Sequence, residues 1–344
     1  MLPRRRLGRS QVEVTALGFG AAPLGGLFAE VGEADAQAAV RAALAGGIGY
    51  FDTAPLYGHG LSEHRLGQAL REIPRDRFVL STKVGRLLRP AAGDRPRSDL
   101  FAAPLPFEWT YDYGAAGAGR SLEDSLQRLG LARIDIALIH DVVPRWHGAD
   151  YERRFHESMA GAYRALADWR REGRLGAIGV GVKDADVCLR YAKAGEFDCF
   201  MLAGQYTLLN QDALPELLPY CARAEIGVLL AAPFNSGILA TGAVPGARYF
   251  YQPAPPEILD RTRRLEAVCA RHGVPLAAAA LQFPLGHPAV AAVVAGARSA
   301  AEVETNLALF RFPIPPELWR DLKADGLLPA EAPVPGHAHG RSAS

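Results

Sequence analysis

The sequence predicts an α/β protein folded as a (β/α)8, or TIM, barrel, and three observations carry that expectation. Eight short apolar or β-branched runs alternate with stretches whose apolar residues recur at helical spacing. No strand-rich block or linker interrupts the alternation, so parallel strands joined by helical crossovers are expected. The turn that a doubly wound dinucleotide fold would need is missing: Gly18-Phe19-Gly20 is followed by Ala21-Ala22-Pro23, and G-x-G-x-x-G is not completed.

Taken in order, residues 4–14 alternate around Gly8-Arg9-Ser10 and read as a hairpin that closes the bottom of the barrel. The eight strands are read at Ala16–Phe19, Tyr50–Asp52, Phe78–Thr82, Ile134–His140, Ala177–Val182, Cys199–Ala203, Gly227–Ala231 and Val290–Val294. The helices between and after them are read at Asp35–Ala45, Ser62–Leu70, Ser121–Leu129, Met159–Glu172, Ala185–Ala194, Leu214–Ala224, Ile258–His272 and Ala300–Leu309. In the third, Leu122, Leu126 and Leu129 share one face. The Pro/Gly-rich connection from Gly85 to Gly119 reads as a long loop of the kind that binds or covers a ligand. One barrel over 1–328 and a disordered tail over 329–344 complete the division, and His337 and His339 in that tail are read as a mobile segment, not as metal ligands.

Composition narrows the partners. Lys+Arg 38 against Asp+Glu 37 leaves a net charge of +1, which excludes the basic surplus that nucleic acid or an anionic membrane requires. No apolar stretch reaches the roughly 18–20 residues of a membrane span. The basic N-terminus has no apolar run behind it, so no secretory signal is expected and a cytoplasmic location follows. Cys188, Cys199, Cys221 and Cys269 lack metal or disulfide spacing and read as buried thiols. No metal site is expected, and the partner is a small molecule acting on a monomer or small homo-oligomer.

In a barrel of this kind, chemistry sits at the C-terminal ends of the strands. Asp52 ends the second strand, Tyr57 follows in the next loop, Lys83 ends the third and His140 the fourth. Asp52 and Lys83 on adjacent strands can offset each other's desolvation. An ammonium beside Tyr57 is expected to bring its phenol toward neutral pH, making it an acid/base for a carbonyl or alcohol oxygen, with His140 as a hydrogen-bond donor to the same oxygen.

These residues resemble the aldo-keto reductases. Phe51-Asp52-Thr53-Ala54-Pro55-Leu56-Tyr57-Gly58, Thr82-Lys83-Val84-Gly85, the segment Arg120–Gly130 and Ile139-His140-Asp141 carry the likeness, which runs from Leu7-Gly8 to Asn306-Leu307. The resemblance implies a nicotinamide-dependent oxidoreductase with Asp52, Tyr57, Lys83 and His140 as its catalytic tetrad. Pro106-Phe107 and Tyr111-Asp112-Tyr113 look most like a branch of aldose dehydrogenases, acting on L-fucose, D-arabinose or L-galactose, and of pyridoxal 4-dehydrogenase. That branch oxidises a cyclic hemiacetal to a lactone, which for pyridoxal is 4-pyridoxolactone. General aldehyde or ketone reduction is the alternative, as are, from other classes, a Schiff-base aldolase using Lys83 and a regulatory nucleotide-binding subunit.

For the cofactor, the resemblance implies that Gln205 binds the carboxamide, that Phe234, Ser236, Gly237 and Leu239 meet the pyrophosphate, and that Gly296, Ala297, Arg298, Ser299 and Asn306 hold the adenosine side. Glu302 stands where NADP-specific relatives often carry an arginine, so NAD is expected over NADP. Two departures stand out. Gly181-Val182, followed by Lys183 and Asp184, replaces the usual Ser-Asn, and Ala231 or Ala232 replaces the aromatic that stacks on nicotinamide, with Phe234 the candidate to compensate. Phe19, Leu24, Trp109, Tyr113, Trp146 and His147 are the substrate-side candidates for a sugar or aldehyde.

Overall fold

The computed structural model describes residues 1–93 and 98–336. Eight parallel strands, β1 (Leu17–Gly20), β2 (Tyr50–Asp52), β3 (Val79–Val84), β4 (Ile136–His140), β5 (Ala177–Val182), β6 (Cys199–Ala203), β7 (Gly227–Ala231) and β8 (Val290–Gly296), close into a barrel in chain order. The near-continuous apolar composition of these runs follows from burial on both faces. Tyr50, Leu138, Met201, Leu229 and Val294 fill the inside, and Leu7 and Val14 of the N-terminal hairpin (Arg4–Arg6 paired with Glu13–Thr15) join them. The hairpin plugs the N-terminal end through Arg9 N–H to Glu225 O at 2.7 Å, which leaves the other end open.

The outer layer holds α1 (Glu33–Ala45), α2 (Leu61–Leu70), α3 (Ala115–Leu129), α4 (Tyr151–Ala160), α5 (Ala162–Arg171), α6 (Ala185–Ala194), α7 (Leu217–Arg223), α8 (Pro256–Arg271), α9 (Leu276–Gln282), α10 (Ala300–Arg311) and α11 (Pro316–Ala324). Leu122 and Leu129 of α3 are buried in the layer between helices and strands, as their spacing predicts.

Three expectations need correction, and one helix was not foreseen. The helix expected over Met159–Glu172 is two helices, because the chain turns at Gly161, where an added Cβ would lie 2.6 Å from Tyr113 O and from the Gly114 Cα. Close backbone approach requires a glycine there. The apolar run Val274–Phe283 contains an additional helix, α9, whose alanines are buried from every side. The long connection from Gly85 to Gly119 is not structureless: Arg86–Pro90 pairs antiparallel with Phe107–Tyr111, and α3 begins at Ala115. Residues 329–336 do not trail away from the barrel, since Ala332 is fully buried and Tyr206 donates to Pro333 O. His337 and His339 lie outside the described residues.

Candidate active site

Strand register places the chemistry. Asp52 lies opposite Ser81 across β2 and β3, Lys83 lies beside Leu138, and His140 lies beside Gly181. Each is the last or next-to-last residue of its strand, so all three sit at one rim. The Asp52 and Lys83 side chains are almost wholly buried and form a bidentate pair, Lys83 Nζ donating to Asp52 Oδ1 at 2.9 Å and Oδ2 at 2.7 Å. The third ammonium proton goes to Thr53 O at 2.8 Å. Ser81 Oγ donates to Asp52 Oδ1 at 2.7 Å, so both carboxylate oxygens are hydrogen-bonded. A buried ion pair survives only with such additional hydrogen bonds.

Tyr57 is held by its backbone. Its N–H donates to Ala54 O and its carbonyl accepts from Ser62 N. Next to it, Gly58 adopts φ +62° with its Cα packed against the backbone of Gly25, so close that an added Cβ would lie 2.4 Å from Gly25 O. A side chain at Gly58 would force the two segments apart and move the tyrosine. The Tyr57 ring then stands with Lys83 Nζ 4.8 Å from its centroid and the His140 ring edge-on at 6.1 Å. Its hydroxyl makes no hydrogen bond to the described residues.

The electrostatics correct one expectation. Burial pushes the Tyr57 phenol well above its ordinary value, and Asp52, Tyr251 and Asp141 push it the same way, against Arg86. The Lys83 charge does not offset this, since the Asp52 carboxylate paired with it at 2.7 Å acts on the phenol in the opposite direction. Burial also raises Asp52, with Lys83 opposing. Burial drives His140 well below the usual histidine value, so its imidazole is neutral at physiological pH.

Beside this group, a cavity of about 170 Å³ is lined by Asp141, Val143, Arg145, Trp146, Lys183, Asp184, Gln205 and Phe250. A larger cleft of about 280 Å³ lies between α3 and α5, but its wall is largely apolar and its Arg133 and Arg174 are already paired with Asp135 and Glu172. Chemistry therefore favours the smaller space. Lys183 and Asp184, which follow the Gly181-Val182 that stands in place of Ser-Asn, form part of its wall.

Among the cofactor candidates, Gln205 lines the cavity and its side-chain amide makes no hydrogen bond within the described residues. Gly296, Ala297, Arg298 and Ser299 lead from β8 into α10, whose first turn presents N–H groups that suit an anion, and Asn306 is buried on that helix. An unpartnered amide at the mouth and a helix N-terminus beyond the next strands fit a nicotinamide dinucleotide. Glu302 is engaged within the protein: its carboxylate accepts from Arg298 N at 2.9 Å and pairs with the Arg298 guanidinium at 3.1 Å, while Ser299 Oγ accepts from Glu302 N. The expected pyrophosphate contacts are partly spoken for. Gly237 and Leu239 both donate to Phe234 O, and Ser236 Oγ accepts from Tyr251 N. Phe234 packs on the hydrophobic layer, and the aromatic beside Gln205 is Phe250.

The substrate-side candidates divide. Trp146 lines the cavity. Tyr113 is buried and donates to His140 O at 3.0 Å, with His147 Nε2 at 3.1 Å from the same hydroxyl, while Trp109 meets Tyr111 edge-on beside Arg86. Phe19 and Leu24 face the layer between strands and helices, fully buried, and are packing residues that do not reach the cavity. Sequence reasoning assigned no role to Arg86, Asp141, Arg145, Phe250 or Tyr251. Asp141 directly follows His140, and the run Tyr249-Phe250-Tyr251 was a visible signal.

A sequence model of the Aldo/keto reductase family matches residues 16–324. This chain belongs to that family. It is 41% identical over 335 residues to the pyridoxal 4-dehydrogenase of Microbacterium luteolum, covering 94% of this chain and 98% of that one. It is 42% identical over 321 residues to the D-threo-aldose 1-dehydrogenase of a Pseudomonas species, covering 92% and 95%. The holo structure of an aldo-keto reductase from Bacillus halodurans superposes with a TM-score of 0.73 at 26% identity, over 98% of this chain and 99% of that one. As an aldo-keto reductase the protein is an NAD(P)-dependent oxidoreductase.

Proposed function

We propose that this aldo-keto reductase is an aldose 1-dehydrogenase that oxidises the cyclic hemiacetal of a sugar of the L-fucose, D-arabinose or L-galactose type to its lactone, preferring NAD. The observation that carries the reading is a tyrosine hydroxyl without a hydrogen-bond partner among the described residues, held between the Lys83–Asp52 pair and a neutral His140 at one rim of the barrel. When bound, the oxidised nicotinamide supplies the acceptor for the hydride on the alcohol carbon. Tyr57 Oη takes the hydroxyl proton, and His140 donates a hydrogen bond that orients the same oxygen. Lys83 and Asp52 hold the tyrosine ring's surroundings fixed and dry. Gln205 is the residue for the carboxamide, and the start of α10 for the adenosine side. The wall of Asp141, Asp184 and Lys183, with Trp146 and Phe250, offers acceptors, a donor and flat faces to a polyhydroxylated ring.

Glu302 supports NAD because it neutralises Arg298, the side chain that would otherwise face a 2′-phosphate. Lys83 is poorly set for imine chemistry, since all three protons have acceptors and no lone pair is free to attack a carbonyl. A second reading, carbonyl reduction, is favoured by the raised Tyr57 phenol: a phenol that stays protonated at neutral pH is a proton donor. By the same sign, dehydrogenation rises with pH as the phenolate forms.

The test is a panel of L-fucose, D-arabinose, L-galactose and pyridoxal with NAD and with NADP, followed by the absorbance of reduced nicotinamide. Tyr57→Phe is expected to lower kcat by about 10²–10⁴-fold with KM little changed. Wild-type turnover in that variant would remove Tyr57 from the mechanism, and turnover confined to pyridoxal would replace the sugar reading.

A further inference from the structure

Asp141 is placed by an unusual backbone. It follows the last residue of β4 at φ +54°, its N–H donating to Gly181 O at 3.0 Å and its own carbonyl accepting from Val143 N. A non-glycine residue in that region is uncommon and costs energy, so the surrounding bonds must impose it. The turn brings the side chain back over the strand end that it has just left. Asp141 Oδ2 lies 3.5 Å from His140 Nε2 and 3.0 Å from Arg86 Nη2. Among the described residues, no hydrogen bond holds the His140 ring and Asp141 is the one carboxylate within 4 Å of its nitrogens.

Arg86 is built to hold that carboxylate. It begins the hairpin that follows β3, is 3% exposed, and lies beside the Trp109 and Tyr111 rings, 5.2 Å from each centroid. Its Nε and Nη1 are buried without hydrogen-bond partners, and among the described residues Asp141 is its one ion-pair partner. The carboxylate also lines the cavity with Gln205 and Lys183. It therefore touches the imidazole, the buried cation and the open space together.

We propose that Asp141, clamped by Arg86, is the positioning residue of this site: as an acceptor facing Nε2 it keeps the proton of the neutral His140 imidazole on that nitrogen until a substrate oxygen takes the hydrogen bond. Which ring nitrogen carries the proton is set by the acceptor nearby. The proposal rests on the reading of Tyr57 and His140 given above. A second effect follows from the same placement. Tyr57 is faced by Asp52 from β2, Lys83 from β3, His140 and Asp141 at the end of β4, Arg86 from the hairpin and Tyr251 from residues 248–253. Asp141 is among the groups that push its phenol up, and Arg86 opposes.

The experiment uses the full chain as Asp141→Asn and as Arg86→Gln/Asp141→Asn. The second variant leaves no buried charge unpaired, so it stays informative where the first fails to fold. Nitrogen-15 spectra of the histidine rings, with His140→Gln to assign the signal, read the tautomer without cofactor or turnover. Wild type is expected to show the proton on Nε2, and both variants a mixture or the other tautomer. With the fastest substrate of the panel, kcat is expected to fall on the order of tenfold with a smaller change in KM. In Asp141→Asn, the rising limb of the dehydrogenation profile is expected at lower pH. A folded double variant with the wild-type tautomer and kcat would overturn the proposal and leave Asp141 as a counter-ion for Arg86. A fully active Tyr57→Phe would instead defeat the mechanism, while the tautomer measurement would still decide the role of Asp141.

Discussion

His287 shows what burial without a counter-charge does to a titrating residue. It is 4% exposed, its Nδ1 accepts from Ala289 N, and burial lowers its pKa from 6.5 to about 4. The unfolded chain therefore takes up the proton first. The stability that the neutral ring contributes is whole above pH 6.5 and is lost as the pH falls toward 4. His140 acts in the same direction. His287→Asn is expected to reduce the fall in Tm across that window by about 2–4 °C, and an unchanged slope in thermal denaturation would contradict this. At this scale the candidate tetrad was legible because strand-end polar residues are few in an apolar barrel. What was not legible was how the charges are spent. The sequence pairs Lys83 with Asp52, as the structure does, but does not reveal that Thr53 O takes the third proton. Asp141 was likewise in plain view beside His140, yet only its positive φ turns it back onto the imidazole.

Helix α10 begins with a cap built from its own first turn. At the segment expected to hold the adenosine side, Ser299 caps the helix: its Oγ accepts from Glu302 N, and the Glu302 carboxylate accepts in turn from Arg298 N. Glu302→Ala frees the arginine and is expected to raise the ratio of NADP to NAD kcat/KM by about tenfold, the order of one lost repulsion or one gained ion contact. The check is steady-state kinetics with both cofactors, and an unchanged ratio would take Glu302 out of the selection. Elements set by local periodicity, such as α3, were readable. The break between α4 and α5 was not, because what forbids a side chain at Gly161 is the backbone of Tyr113 and Gly114, far away in sequence.

Across the whole molecule, the barrel count and the hairpin plug followed from the alternation of apolar runs, whereas the course of the chain after α11 did not. Pro329–Gly336 carries few apolar residues, yet Ala332 is fully buried and Val334 packs against Gly286. Composition suggests a tail, and contact with the body decides otherwise. Ala332→Asp would bury a carboxylate with no prepared partner and is expected to cost about 2–4 kcal/mol, visible as a lower Tm with the kinetics of the surviving folded enzyme intact. A Tm equal to wild type would show that this segment does not brace the fold.

The pairing of Lys83 with Asp52 has a wider consequence. A lone buried cation would act on its surroundings as a monopole, felt across the interior and answerable to the charge of the whole surface. Matched at 2.7 Å by a carboxylate, it acts on Tyr57 as a dipole, whose influence falls away much faster with distance. The chemistry at the rim is thereby insulated from the ionic strength outside and made sensitive to ångström-scale placement of one ring.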